Sequence, residues 1–181
     1  MEERKRYYSN TQFWWVTSLF GLFTGLLVFV LYFLLSLLFK QEVSVFYSLT
    51  YLLPLAGMIM AVVRLRDHYG HGAIRFSQAF WCSWITAIIA AFVFAATLYF
   101  VYSEMNLSEL KHKAMTIEQD VLAQSNTMSI TEIRSLRQYI QTMLSPAYLA
   151  GMNFIFYSLF GVFYALLIAI FARRKDRFIE A

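Results

Sequence analysis

The chain has 181 residues, of which 60% are hydrophobic, 19% aromatic and only 14% charged, with a mean hydropathy of +0.55. Ordinary soluble domains carry about 25% charge, so the composition excludes a soluble globular domain and leaves no room for a separate soluble catalytic one. The net charge of +4 would suit nucleic-acid binding, but the positions of the basic residues explain it otherwise.

Four charge-free runs, 7–39, 43–63, 76–103 and 138–172, each reach the roughly 20 apolar residues that cross a hydrocarbon core. The first span is predicted over 13–38, with Trp14 and Trp15 at an interface where amphipathic indole rings prefer to sit. The run is far longer than the apolar core of a secretory signal, so it reads as an uncleaved span. Gly21 and Gly25 form a Gly-x-x-x-Gly pair that lets another helix approach closely, within the chain or across a dimer.

The second span is predicted over 44–63 and contains Pro54, which removes a backbone hydrogen bond and kinks a helix. The loop that follows, 64–75, is basic and glycine-punctuated. His68 and His71 lie three apart in it, but Asp67 is the one nearby carboxylate, too few ligands for a metal. A third span is predicted over 77–102, with Trp81 and Trp84 near one end and Tyr99 and Tyr102 near the other.

The segment 104–144 is the most patterned part of the chain. Leu107, Leu110, Ala114, Ile117 and Val121 recur at steps of three and four, which places them on one helix face. Ser129-Ile-Thr-Glu132 has the form of a capping box, and Ile133, Leu136, Ile140 and Met143 repeat the same spacing. Two amphipathic helices in an antiparallel hairpin are therefore expected. Their stripes can close on each other, on the membrane surface or on a partner. Ser145-Pro146 then starts a fourth span, 146–171, with Asn153 about two turns inside it, where the amide needs a partner on a neighbouring helix.

The expected fold is thus all-α, a polytopic membrane protein of four transmembrane helices with an extracytoplasmic helical hairpin between the third and fourth. Arg4, Lys5, Arg6, Arg64, Arg66, Arg75, Arg173, Arg174, Lys175 and Arg177 all fall on one face of such an arrangement. The positive-inside rule makes that face, and both termini, cytoplasmic.

No ionisable residue lies within a predicted span, where function would be the reason to tolerate one. No nucleophile, zinc or phosphate-loop motif is present either. The sequence points to a non-enzyme without cofactor, metal or nucleic-acid partner. Cys82 sits alone inside a span and reads as a small buried hydrophobe.

The glycine-containing loop, the run Ile74-Arg-Phe76-Ser-Gln78-Ala79-Phe80 that opens the third span, the long helical insert and the Leu144-Ser-Pro146 start of the fourth together resemble a known family. It is the bacterial membrane family called domain of unknown function 4199, found mainly in Bacteroidetes. The likeness runs from the first span to the basic tail. Trp81-Cys-Ser-Trp84 departs from it, since a small residue is expected a few positions after Gln-Ala-Phe.

The resemblance implies a multi-pass protein of the bacterial inner membrane, with the hairpin in the periplasm and no assigned activity. It also suggests a place beside envelope-building enzymes. The functional expectation is a non-catalytic accessory or scaffold subunit that engages membrane lipids and either a protein partner or a second copy of itself. Its contact residues would be Leu107, Leu110, Ile117, Val121, Ile133, Leu136, Ile140 and Met143. Gly21, Gly25, Pro54, Gln78 and Asn153 would pack the helices. The alternative is an oligomeric transporter or channel for an uncharged or lipid-like solute.

Overall fold

A computed structural model describes residues 9–38, 44–104, 112, 115–117, 119, 121 and 130–173, without the side chains of 36–38, 44–49 and 130. Its elements are α1 (Asn10–Leu38), α2 (Ser44–Arg64), a π-helical turn (Leu65–Tyr69), α3 (Phe76–Glu104), α4 (Ile130–Met143) and α5 (Pro146–Ala172).

Local chemistry sets the helix starts. At α1, Gln12 N donates to Ser9 Oγ (3.2 Å) and Ser9 N donates to Gln12 Oε1 (2.9 Å), a reciprocal capping box. At α3, Arg75 N donates to Gln78 Oε1 (3.1 Å), the returning half of the same device. At α5, Ser145 Oγ accepts from Tyr148 N (3.3 Å), and Pro146 occupies the first helical position, where its missing N–H costs nothing.

Three helices are long and apolar enough to cross a membrane: α1 over Asn10–Leu35, α3 over Phe76–Glu104 and α5 over Pro146–Ala172. The expectation of four spans is corrected to three among the described residues. The expected span 44–63 corresponds to α2 (Ser44–Arg64), which is not among the three over its described residues. It contains Pro54 and the hydroxyl-bearing Thr50 and Tyr51.

The chain divides into two compact units. The first holds α1, α2, the π-helical turn, α3 as far as Phe94 and α5 from Phe154. The second is Ala95–Asn153. In the first, α1 packs against both α2 and the π-helical turn. Its core joins Val16, Met58, Ala61, Val62, Leu65, Ile74, Ala79, Cys82, Ala87, Ala165, Ile168 and Ala169. This cluster gathers the start of α1, the end of α2, the start of α3 and the end of α5 at one pole.

Helices in lipid gain little from burying apolar surface, so close approach must come from small residues. Glycines supply it here. A Cβ on Gly21 would lie 2.7 Å from Ile89 Cβ, and one on Gly25 would lie 2.7 Å from Ala90 O, so the pair forms the seam between α1 and α3 inside the chain. Gly161 of α5 meets Ala87 of α3, and Gly57 of α2 meets the Thr24 side chain of α1.

The loop after α2 is more deeply seated than a headgroup-facing loop. Leu65 and Ile74 are buried, bracketing it at both ends. Gly70 N and Gly72 N both donate to Arg66 O, at 3.2 and 2.9 Å. His71 and Gly72 take left-handed backbone angles, φ 50° and 84°, to turn the chain.

Candidate functional site

Two places combine chemistry with accessibility: the pole where the basic residues gather, and the segment between α3 and α5. At the pole, Arg64, Arg75 and Arg173 are exposed. Arg66 is held differently, its guanidinium paired with the Asp67 carboxylate (Nε to Oδ1 2.6 Å), a bond that raises its pKa further. Phe76 and Trp81 expose their rings just after Arg75 in the chain, and Trp14 and Trp15 expose theirs near the start of α1.

One face of α3 carries stacked rings away from that pole. Phe76 stacks on Phe80 (centroids 6.4 Å) and Phe80 on Trp84 (6.0 Å), while Trp81 leans on Trp84 (5.2 Å). Positions i, i+4 and i+8 share a helix face, which is why the sequence makes this ladder. Trp84 Nε1 is buried without a hydrogen-bond partner among the described residues. His68 and His71 are exposed on the loop, and the described residues contain no group of three metal-ligating side chains.

A second cluster ties helices together in the interior of the first unit. Tyr157 of α5 donates from its hydroxyl to Thr50 Oγ1 of α2 (2.9 Å), and both are buried. Its ring stacks on Tyr51 (4.6 Å) and tilts against Phe94 (5.0 Å), which in turn meets Tyr32 of α1 (5.7 Å). The buried hydroxyls of Thr17 and Thr86 instead bond back to their own helices, at Phe13 O (3.0 Å) and Cys82 O (2.8 Å).

The segment between α3 and α5 is described in part. Leu107, Leu110, Ala114 and Ser129 lie outside the described residues. Residues 112, 115–117, 119 and 121 are helical. Within α4, Ile140 is buried, Ile133, Leu136 and Met143 are half-buried, and the positions between them are exposed. The α4 stripe is therefore turned inward rather than left open. Val121 is half-buried. Ile117 (42% exposed) is accessible, and so are two residues that the stripe pattern passed over, Met115 (61%) and Tyr139 (58%).

The expected packing residues take several roles. Gly21 and Gly25 form the α1–α3 seam, and Pro54 is buried inside α2. Gln78 caps a helix start. Asn153 Nδ2 donates to Leu149 O (2.8 Å) one turn back on its own helix, so the bond to a neighbouring helix that its position called for is replaced by a local one. The residue that does bridge helices, Tyr157, carries no such signal, because an aromatic in an apolar span looks like any other core ring.

A family model described as a protein of unknown function (DUF4199) matches residues 19–174. The chain belongs to this family. The match takes in the glycine seam, the basic loop, the aromatic ladder and all of α5, so these features lie within the DUF4199 region. No curated protein and no solved structure matches the chain. This DUF4199 protein is a bacterial membrane protein.

Proposed function

We propose that this DUF4199 protein is a non-catalytic accessory subunit of the bacterial inner membrane that engages a protein partner through the periplasmic segment 104–144. One observation carries the reading. The segment spends Ile140 on internal packing yet leaves Met115, Ile117 and Tyr139 open on otherwise polar helices. Exposed large apolar side chains outside lipid mark contact surfaces when they are not simply scattered.

The orientation follows from the pole. The start of α1 and the end of α5 share one core cluster, with Phe13 and Ala172 packed against it. Arg64, Arg66, Arg75 and Arg173 adjoin this cluster's residues in the chain, which by the positive-inside rule supports reading this end as cytoplasmic and the segment 104–144 as periplasmic. The buried described residues of the first unit include no Asp, Glu, His, Lys or Arg, which suits a scaffold better than a catalyst.

The test is site-specific photo-crosslinking in native membranes at Met115, Ile117 and Tyr139, with lipid-facing Phe163 as control. A single protein joined in comparable amounts at the first three positions, and lost in a Met115→Ser, Ile117→Ser, Tyr139→Ser variant, is the expected result. Crosslinks to lipid alone at all four positions overturn the reading. Orientation is checked separately in a Cys82→Ser background. Gln119→Cys should label from the periplasmic side, and His68→Cys only after permeabilisation.

A further inference from the structure

Beyond a protein partner, we infer that His112 and Met115 form a binding site for a soft monovalent cation, Cu(I) or its congener Ag(I), held between the imidazole Nε2 and the thioether sulfur. The two lie three positions apart in the segment 104–144. Both are helical and both are exposed, Met115 at 61%. Residues three apart on a helix are neighbours, with Cβ atoms about 5–6 Å apart. No other histidine of the chain has a methionine within four positions.

The Thr116 hydroxyl prepares the imidazole. Thr116 Oγ1 donates to His112 O (3.1 Å) and lies 3.3 Å from His112 Nδ1. A hydroxyl has a single proton, and here the backbone carbonyl takes it, so the Thr116 oxygen accepts from Nδ1–H. The neutral ring then carries its proton on Nδ1 and keeps the Nε2 lone pair for a ligand. Metal-binding histidines ordinarily have their other ring nitrogen fixed in this way. The same contact lays the ring along the turn that carries Met115, and helix side chains lean toward the N-terminus, which brings the thioether back toward the ring. The donor set then selects the metal. A thioether is a soft, uncharged ligand that favours Cu(I), whereas structural zinc takes four ligands, and calcium and magnesium take oxygens. A monovalent ion with a filled d shell is satisfied by two donors in line, which this pair supplies.

The probe is Cu(I) alone, supplied under nitrogen to the purified full-length protein in detergent and read by competition with a coloured Cu(I) chelator. A Cys82→Ser background removes the one thiol. Replacing either ligand, by His112→Ala or Met115→Leu, should weaken binding at least about tenfold. Thr116→Ala, which removes the hydroxyl that positions the ring, should weaken it about tenfold, and Thr116→Ser should restore it. His68→Ala with His71→Ala, on the exposed loop after α2, should leave it unchanged. In a protein labelled with 13C at the methionine methyls, the resonance that moves first on adding Ag(I) should be the one missing from Met115→Leu.

Equal Cu(I) affinity of the parent and of Met115→Leu overturns the site. So does a first shift at another methionine, or displacement of the bound ion by equimolar Zn(II), which marks a site without a soft donor. An unchanged affinity in Thr116→Ala overturns the role given to that hydroxyl. The site shares Met115 with the proposed contact surface, and the two readings part at Met115→Leu. That variant keeps an apolar side chain, so crosslinks at Ile117 and Tyr139 should survive in a protein that no longer holds the metal. Cu(I) binding to the purified protein needs no partner, so failure of the periplasmic contact leaves the metal readouts intact.

Discussion

The two units of this protein solve the same packing problem with opposite materials. In the first, helices meet through missing side chains, with Gly21, Gly25, Gly57 and Gly161 each set against a neighbouring helix. In the second, α4 is an amphipathic helix with polar residues outward and Ile140 inward, the pattern of a water-exposed helix. Gly151 shows how local the rule is, since a Cβ there would meet nothing within 4 Å. Helical glycine is a contact residue in the first unit and filler at Gly151 in the second.

Substitutions at the seams should separate these regimes most sharply. Gly25→Leu pushes a side chain onto the backbone of α3 at Ala90, which cannot swing aside as a side chain can. Overpacking of this kind costs about 1–3 kcal/mol or more, and a large drop in thermal stability in detergent is the expected readout. Next in size, Ile140→Ala empties a buried position of α4 at a cost of about 2 kcal/mol, near the lower end for such truncations. Hydrogen exchange should show faster opening over 130–143, with protection of α1 and α3 unchanged.

Tyr157→Phe removes the hydroxyl that bonds to Thr50 while leaving the stacked rings in place. Bonds between helices in membranes average about 0.6 kcal/mol, so a small loss of stability is expected. Tyr157→Ala should cost several times more, because the ring also contacts Phe94 and Tyr51. The smallest effect carries the opposite sign. Gly151→Ala should be neutral or stabilising by up to about 1 kcal/mol, since it adds helix propensity without a clash. If Gly151→Ala destabilised as Gly25→Leu does, the contrast between the units would collapse.

Uninterrupted apolar length made α1, α3 and α5 legible in the sequence, because nothing but lipid rewards such runs. The same criterion overcounted at α2, where hydroxyls and Pro54 interrupt the apolar character. Gly21 and Gly25 were visible as a pair, but their partner was not, since four-residue spacing names a face and not what meets it. The loop after α2 reads as polar from its charges, whereas Leu65 and Ile74 anchor it in the core.

At the candidate sites, the basic residues could be read directly and their shared pole followed from connectivity. The capping box at Ser9 and Gln12 had a clear signature in Ser-x-x-Gln, masked by the attention that the apolar run draws. The α3 ladder lies in plain view as Phe76, Phe80 and Trp84, yet its stacking is a property of side-chain angles. Asn153 shows the reverse error, a polar residue in a span that satisfies itself locally. Tyr157 and Thr50 stand 107 positions apart, and no local pattern joins them.

The seam at Gly21 and Gly25 also has a meaning in time. Its other half, around Ile89 and Ala90, is synthesised about 65 residues later. At ribosomal speeds of about 5–20 residues per second, α1 spends roughly 3–13 s in the bilayer before its closest companion arrives. Through that interval its narrow face is open to any small-residue helix nearby. The order of insertion, as much as the final packing, decides whether the newborn chain pairs with itself or with a neighbour.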